Sequence, residues 1–463
     1  MASKKSRGKV KRKAPYDLVF GLFLILLSSH RFINIAWTDD FQNDEGFYAL
    51  ISSTLLHGGR MYDDFRFTQP PLMPYIGAAY LSLVGVGLVP LRFLAILASV
   101  LTPLCLFYII RASVKDTRRV YLASFLAALP LAVLTIINSH SRVYYIEPFV
   151  TFVSCTAVYA ASKKTKNAYL ASGFLSAAAM LLKLWAIPTV AAISLFILWA
   201  DRKNIRYYLI GFFSVMLSFF IYLTVSSRAL DYILFQAARD HWTFMQKTKP
   251  LWNFYKALPY VSAASLPLLF ARKHRLVFLW TLATFLFLYT LMPDAISHHT
   301  YFLAPVFTIS SALLAAEFTP RQLWFWLVLA LIVYSIAEWR HIVDLQGKLK
   351  THGTKLSQVA HYVEDNTNAS DAILSDYAMI TFISTRRQAG YLLDTSETAI
   401  YYDLLASKDL IAVSEAEKPV YVVVESRFKN KKLSDFMVYV NATYAQEIPP
   451  GFDSRPFEVY RRK

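Results

Sequence analysis

The stretch "WTDDFQNDEGFYALISSTLLHGGRMYDDFRFTQPPLMPYI", residues 37–76, crowds Asp39, Asp40, Asp44, Glu45, Asp63 and Asp64 into one short window. Three other places carry ionisable groups between apolar runs. The turn "NSHSRVYYIEP" (138–148) holds His140, Arg142 and Glu147; Lys183 interrupts a long apolar stretch; and "PDAISHHTY" holds Asp294, His298 and His299. Carboxylates gathered with cations at one membrane interface suit a reaction in which a nucleophile loses a proton while an anionic group departs. A base must sit within hydrogen-bond reach of the proton it takes. Fixed cations must meet the charge that develops on the leaving group.

Each of these groups also has a structural reading. Phe47, Leu50, Ile51 and Leu55 form a helical stripe that Gly58-Gly59 would end, so Asn43, Asp44 and Glu45 occupy a helix start. Asn is a good N-cap, and acids in a first turn complement the helix dipole. Asp64 with Tyr62 can shape the loop after the glycine pair. Lys183 can snorkel to the interface. His298 and His299 would be metal ligands only as a minor alternative, because adjacent histidines point in different directions on a helix. Trp37, Trp185, Trp199 and Trp324 fit an interfacial aromatic belt.

The elements that must hold these groups are read from hydropathy. Of 463 residues, 56% are hydrophobic and 17% charged, against about 25% charged in soluble domains. Runs such as Leu18–Ala36 and Leu91–Ile110 approach the ~20 residues that cross a ~30 Å hydrocarbon core. The net charge of +17 sits in short basic clusters between apolar runs, the pattern of cytoplasmic membrane loops rather than of a nucleic-acid surface. Cys105 and Cys155 lie inside apolar segments and give no disulfide framework. The basic start "MASKKSRGKVKRK" precedes an apolar run without a cleavage site, so a retained anchor with a cytoplasmic N-terminus is expected. Charge parity then places about eleven transmembrane helices. Leu72–Val89 is read as an interfacial helix of the first outer loop, Lys183 falls at an outer turn, and the chain after residue 340 lies outside. The loop 226–250, outer by parity yet basic, departs from the rule.

Two domains are expected: 1–340 in the membrane and 341–463 as a small extracytoplasmic α/β domain. "DAILSDYAMITFIST" and "KPVYVVVESRF" read as buried strands. "THGTKLSQVAHYVEDN" and "NKKLSDFMVYV" have helical spacing.

The first loop resembles that of the polyprenyl-phosphate-sugar-dependent glycosyltransferases of the GT-C membrane fold. Relatives include the dolichyl-phosphate-mannose protein mannosyltransferases and the aminoarabinose transferases. The matching residues are Asp44-Glu45, Gly58-Gly59, Tyr62-x-Asp64 and Pro70-Pro71-Leu72. More loosely, "SRVYYIEPF", "AAMLLKLWAIP" and "SHHTYFLAPVF" follow in the family's order, with Glu147 where many relatives have Asp. The resemblance implies a polytopic α-helical enzyme that moves a monosaccharide from a polyprenyl-phosphate donor to an outer-face acceptor (protein, glycan or lipid), with inversion and with no cofactor. It implies Asp44 as the general base, with Glu45 and Glu147 as catalytic candidates. Arg142, Lys183, His298 and His299 become candidates to hold the phosphate, joined on the substrate side by Tyr301, Asp64 and Gln69. Either the plasma membrane or the endoplasmic reticulum would suit such a protein. A non-catalytic family member and a transporter or flippase of a lipid-linked substrate are the alternatives. No inverted repeat of the transporter kind is visible.

Overall fold

The computed structural model describes residues 16–29, 32, 43–114, 120–121, 124, 143–226, 228–238, 274–290, 304–315, 355–451 and 454–463. The membrane part contains α1 (Tyr16–Ser28), α2 (Asn43–Leu56), α3 (Leu72–Val84), α4 (Leu88–Ser113), α5 (Ile146–Ser162) and α6 (Lys166–Leu182). It continues with α7 (Ile187–Ala200), α8 (Ile205–Val225), α9 (Ala229–Ala238), α10 (Arg275–Thr290) and α11 (Ala304–Ala315).

Among the described residues, α4 and the segment Arg202–Val225 are long and apolar enough to cross a bilayer unaided. The expected count of eleven spans falls partly on residues outside those described. The element anticipated over Leu72–Val89 is shorter than its apolar run. Gly85, at φ +91°, ends α3 after 13 residues, and α4 begins at Leu88. At ~1.5 Å per residue, a helix of that length spans about 20 Å, short of the ~30 Å core. This suits an interfacial position.

Helix α8 shows both solvents the chain must satisfy. Ile210, Phe213, Leu217, Ile221 and Val225 recur at helical spacing, and each is more than half exposed. An apolar stripe of that length facing outward suits lipid. The opposite face packs on α6 at two glycines. A Cβ on Gly173 would stand 2.1 Å from the Tyr208 carbonyl oxygen, and one on Gly211 would stand 2.1 Å from that of Leu170. Small residues let membrane helices approach this closely.

The C-terminal part contains helix α12 over 355–365, then β1 (Ala372–Ser375), α13 (Ala378–Ile383), β2 (Arg387–Gln388), α14 (Glu397–Tyr401) and α15 (Ser407–Glu417). It closes with β3 (Tyr421–Val424), α16 (Ser434–Thr443), β4 (Tyr444–Glu447) and β5 (Glu458–Arg462). The sheet order is β2-β1-β3-β5-β4, with β1 parallel to β2 and β3, and β5 antiparallel to β3 and β4. Of the two stretches expected as strands, "KPVYVVVESRF" supplies β3. "DAILSDYAMITFIST" is strand only in its first half: β1 stops at Ser375, Asp376 turns its carboxylate onto backbone N–H groups after β3, and α13 follows.

Alternation along the strands splits the core. Ile373, Tyr421, Val423 and Val459 face one side of the sheet, and Leu374, Val422, Val424 and Tyr460 face the other. Successive strand side chains point to opposite faces. The first set joins Leu356, Val359 and Met379, and through them Tyr48, Ile51, Tyr144 and Tyr145 of the membrane part, in one buried cluster. The two regions of the chain therefore share a continuous apolar core. A second cluster, around Trp280, Phe196 and Leu313, lies among α4 to α8, α10 and α11, where the Trp280 indole N–H donates to Thr189 Oγ1 at 2.9 Å.

Candidate active site

The first turn of α2 divides its labour between neighbours. Glu45 is 0% exposed, and its carboxylate is met by two nitrogens of Arg92, Nε to Oε1 at 2.8 Å and Nη2 to Oε2 at 2.7 Å. The backbone N–H of Tyr144 also donates to Oε1, at 2.9 Å. Glu45 thus ties α2 to the start of α4 and to the segment leading into α5. Asp44, one residue earlier, is partly exposed, and no hydrogen bond or ion pair engages its carboxylate among the described residues.

The second acid and the lone lysine meet. Glu147 opens α5 and Lys183 follows the last residue of α6. The lysine Nζ lies 2.6 Å from Glu147 Oε1 and 3.3 Å from the centre of the Trp185 ring. Lys183 itself is 7% exposed, so its ammonium is held inside the protein rather than snorkelling. An extended backbone at Lys183 (φ −158°, ψ 138°) stops α6 here, and a 3-10 turn over Leu184–Ala186 leads into α7. Trp185 belongs under this ammonium, not in the aromatic belt that the sequence suggested.

Two tyrosines join the halves. Tyr48 lies one helical turn beyond Asp44, the spacing that places side chains on one face. Gln69 Nε2 donates to its hydroxyl at 2.9 Å. Burial first, then the charges of Asp44 and Glu147, hold the Tyr48 phenol well above its ordinary range, with Asp394 of the C-terminal part adding to the effect. Tyr145 is raised in the same way, by burial and then by Asp44, Glu45 and Glu147. Both stay neutral hydroxyls amid carboxylates. Asp44 and Glu147, far apart in the chain, thus both act on one pair of tyrosines, with Gln69 bonded to Tyr48 and Lys183 to Glu147.

Asp64 lies elsewhere. Arg60 donates to it from the backbone N–H at 2.8 Å and from Nη2 at 2.9 Å, which holds its carboxyl below the usual range. It closes the turn in which Tyr62 adopts φ +71° and the Tyr62 hydroxyl donates to the Gln69 carbonyl. Arg142, His298, His299 and Tyr301 lie outside the described residues, as do His140 and Asp294. Among the described residues, no group of three His, Cys, Asp or Glu side chains is arranged to hold a metal ion.

Sequence reasoning missed Arg92 and Tyr48. Arg92 had a signal: it stands alone inside an apolar run, and an ionisable residue there asks for a partner. Tyr48 had only its spacing from Asp44.

Residues 68–227, less than half of the chain, match the family described as dolichyl-phosphate-mannose-protein mannosyltransferase. The whole chain resembles solved membrane transferases. It matches ArnT from Cupriavidus metallidurans bound to undecaprenyl phosphate with a TM-score of 0.71 over 96% of this chain and 98% of that one, at 12% identity. The same protein in the apo state matches with a TM-score of 0.67 over 96% and 97%, at 14% identity. The Archaeoglobus fulgidus oligosaccharyltransferase tethered to an acceptor peptide matches with a TM-score of 0.56 over 97% of this chain and 74% of that one, at 13% identity. No curated protein sequence matches. The chain therefore has the GT-C fold of membrane glycosyltransferases.

Proposed function

We propose that the protein transfers a monosaccharide from a polyprenyl-phosphate donor to a hydroxyl of an acceptor on the non-cytoplasmic face. The observation that carries this reading is that Asp44, whose carboxylate has no hydrogen bond or ion pair among the described residues, acts on the same tyrosine, Tyr48, as Glu147, and that Glu147 in turn holds the buried Lys183. Asp44 takes the acceptor proton, and the acceptor oxygen forms the new bond at the anomeric carbon. The bond from that carbon to the phosphate oxygen breaks, its electron pair leaving with the polyprenyl phosphate. Attack opposite the leaving group inverts the anomeric configuration through an oxocarbenium-like transition state. Lys183, which Glu147 and Trp185 hold, meets the departing phosphate, with Arg142, His298 and His299 as further candidates for that role. The family match at residues 68–227 and the likeness to a structure bound to undecaprenyl phosphate support a lipid-phosphate donor.

The test is turnover of radiolabelled dolichyl-phosphate mannose and undecaprenyl-phosphate aminoarabinose by purified protein in membranes containing candidate acceptors. Release of lipid phosphate coupled to labelled acceptor is expected, with Asp44→Asn lowering kcat at least about a thousandfold while donor binding persists. Movement of intact donor across the bilayer without sugar release would instead identify a transporter.

A further inference from the structure

Three consecutive residues of α2 face three different duties. Asp44 is the proposed base, Glu45 is locked to Arg92 and Tyr144 of the membrane part, and Gly46 meets the C-terminal part. A Cβ on Gly46 would stand 2.6 Å from the backbone nitrogen of Met379, 2.7 Å from its Cβ and 2.8 Å from its Cα. Two of these three atoms are backbone, so no side-chain rotation relieves the contact. Gly46 has ordinary helical surroundings within α2, and what requires glycine is the approach of α13.

Helix α13 is in turn fixed to the sheet. Asp376, just before it, accepts backbone N–H groups from Glu425 at 2.8 Å, Phe428 at 3.0 Å and Ser426 at 3.2 Å. Thr395 Oγ1 donates to the Asp376 carbonyl at 3.1 Å, and the Tyr377 ring meets Phe457 edge-on at 5.8 Å. A rigid path therefore runs from the sheet through α13 to the backbone two residues from Asp44. The cluster around it is apolar and shared by both regions, a kind of interface that suppresses relative domain motion.

The geometry points to Gly46 as a positioning residue: its contact with Met379 makes the C-terminal domain the second anchor that sets the place of Asp44. This inference rests on the transferase reading and adds that catalysis depends on the domain through this close approach. A displacement of even ~1 Å at a catalytic group can cost about a hundredfold in rate. A Cβ at Gly46 has to open the gap to Met379 by several tenths of an ångström or more. The loss should fall on kcat, since the contact bears on the turn that carries Asp44, while the donor phosphate is assigned to Lys183.

The test compares Gly46→Ala, Gly46→Val and Met379→Gly with the unaltered protein, measuring kcat, the KM for donor and the thermal midpoint of each. Arg66→Gln serves as a control, because Arg66 donates to the Leu404 carbonyl elsewhere on the same seam. Expected are a loss of kcat of about tenfold for Gly46→Ala and more for Gly46→Val, with an unchanged donor KM; adding Met379→Gly should not restore Gly46→Ala, because the Met379 nitrogen and Cα stay in place. Arg66→Gln should keep its kcat. If Gly46→Ala yields no folded protein, Met379→Gly alone, which opens the contact from the other side, should still lower kcat. Wild-type kcat in folded Gly46→Ala or in Met379→Gly, or an equal loss in Arg66→Gln, would overturn the inference. An unaltered protein without transfer, or an Asp44→Asn variant that still transfers, sinks the reaction assignment instead.

Discussion

Glu45 and Arg92 form a two-pronged ion pair, 47 positions apart in sequence, with neither side chain more than 3% exposed. The pair holds the residue next to Asp44 and so fixes the helical turn that carries it. Removing one partner of a buried pair leaves the other charge uncompensated, a cost of about 3–5 kcal/mol. Arg92→Leu is therefore expected to lower thermal stability by that order. Arg92→Lys should recover only part of it, because an ammonium cannot reproduce the planar fork. Thermal unfolding of purified protein in detergent checks both. An Arg92→Leu variant that melts with the unaltered protein would show that Glu45 is satisfied by other means.

The Lys183–Glu147 pair leads to a different expectation, because one of its members is assigned to the donor. Lys183→Met should weaken binding of undecaprenyl phosphate at least about tenfold, the scale of losing one charge-assisted hydrogen bond. Glu147→Gln leaves the ammonium in place over Trp185 but loosens its aim, so binding should suffer less than turnover. The double variant should lose less than the sum of the singles, since residues in direct contact are not additive. Titrating the lipid phosphate by a change in intrinsic tryptophan fluorescence reads binding directly, with Trp185 beside the reporting charge. Additive losses would place the two residues in independent roles.

These two pairs show how far the sequence could be read. Asp44, Glu147 and Lys183 were legible because an ionisable residue at the end of an apolar run stands out against it. That Glu147 and Lys183 meet was legible only through the order of motifs in a resembling family. Glu45 was visible as a residue, but not as the partner of Arg92, because periodicity says nothing about which of two adjacent acids turns inward. Asp64 was read both as a loop-shaping residue and as a substrate contact, and the turn it closes with Arg60 agrees with the first of these. In the C-terminal part the pattern of β1 and β3 was clear from their apolar runs. The switch from strand to helix after Ser375 was not, because Asp376 ends the strand with partners about 50 residues away. The shared core across position 341 was invisible for the same reason: composition marks where texture changes, not what packs on what.

The glycine contact between α6 and α8 supplies a prediction about the scaffold alone. Gly173→Ala places a methyl 2.1 Å from the Tyr208 carbonyl oxygen, which neither backbone can yield without separating the helices. Overpacking of this kind costs about 1–3 kcal/mol, occasionally more. A lowered melting temperature with unchanged kcat in the folded fraction is expected. A loss of kcat at unchanged stability would mean that this helix pair communicates with the site.

Asp376 provides the pH dependence. Its carboxyl is buried, and burial raises its pKa above the ordinary range despite the N–H groups of Phe428 and Glu425 and the charge of Arg427. A carboxyl whose folded value exceeds the unfolded one, about 3.9, binds its proton more tightly when folded. Its contribution is complete below the unfolded value and is lost as pH rises through the raised folded value. Stability of the C-terminal part should accordingly decline with rising pH across that window. Asp376→Asn removes this titration and keeps one acceptor oxygen, but it turns an amide N–H2 toward N–H donors. Leaving such groups unmatched costs about 1–3 kcal/mol. The variant should melt lower than the unaltered protein at mildly acidic pH, with a smaller difference as pH rises. Melting curves that run parallel through the whole window would show that Asp376 keeps one protonation state throughout, and that the three backbone N–H groups, rather than burial, decide its charge.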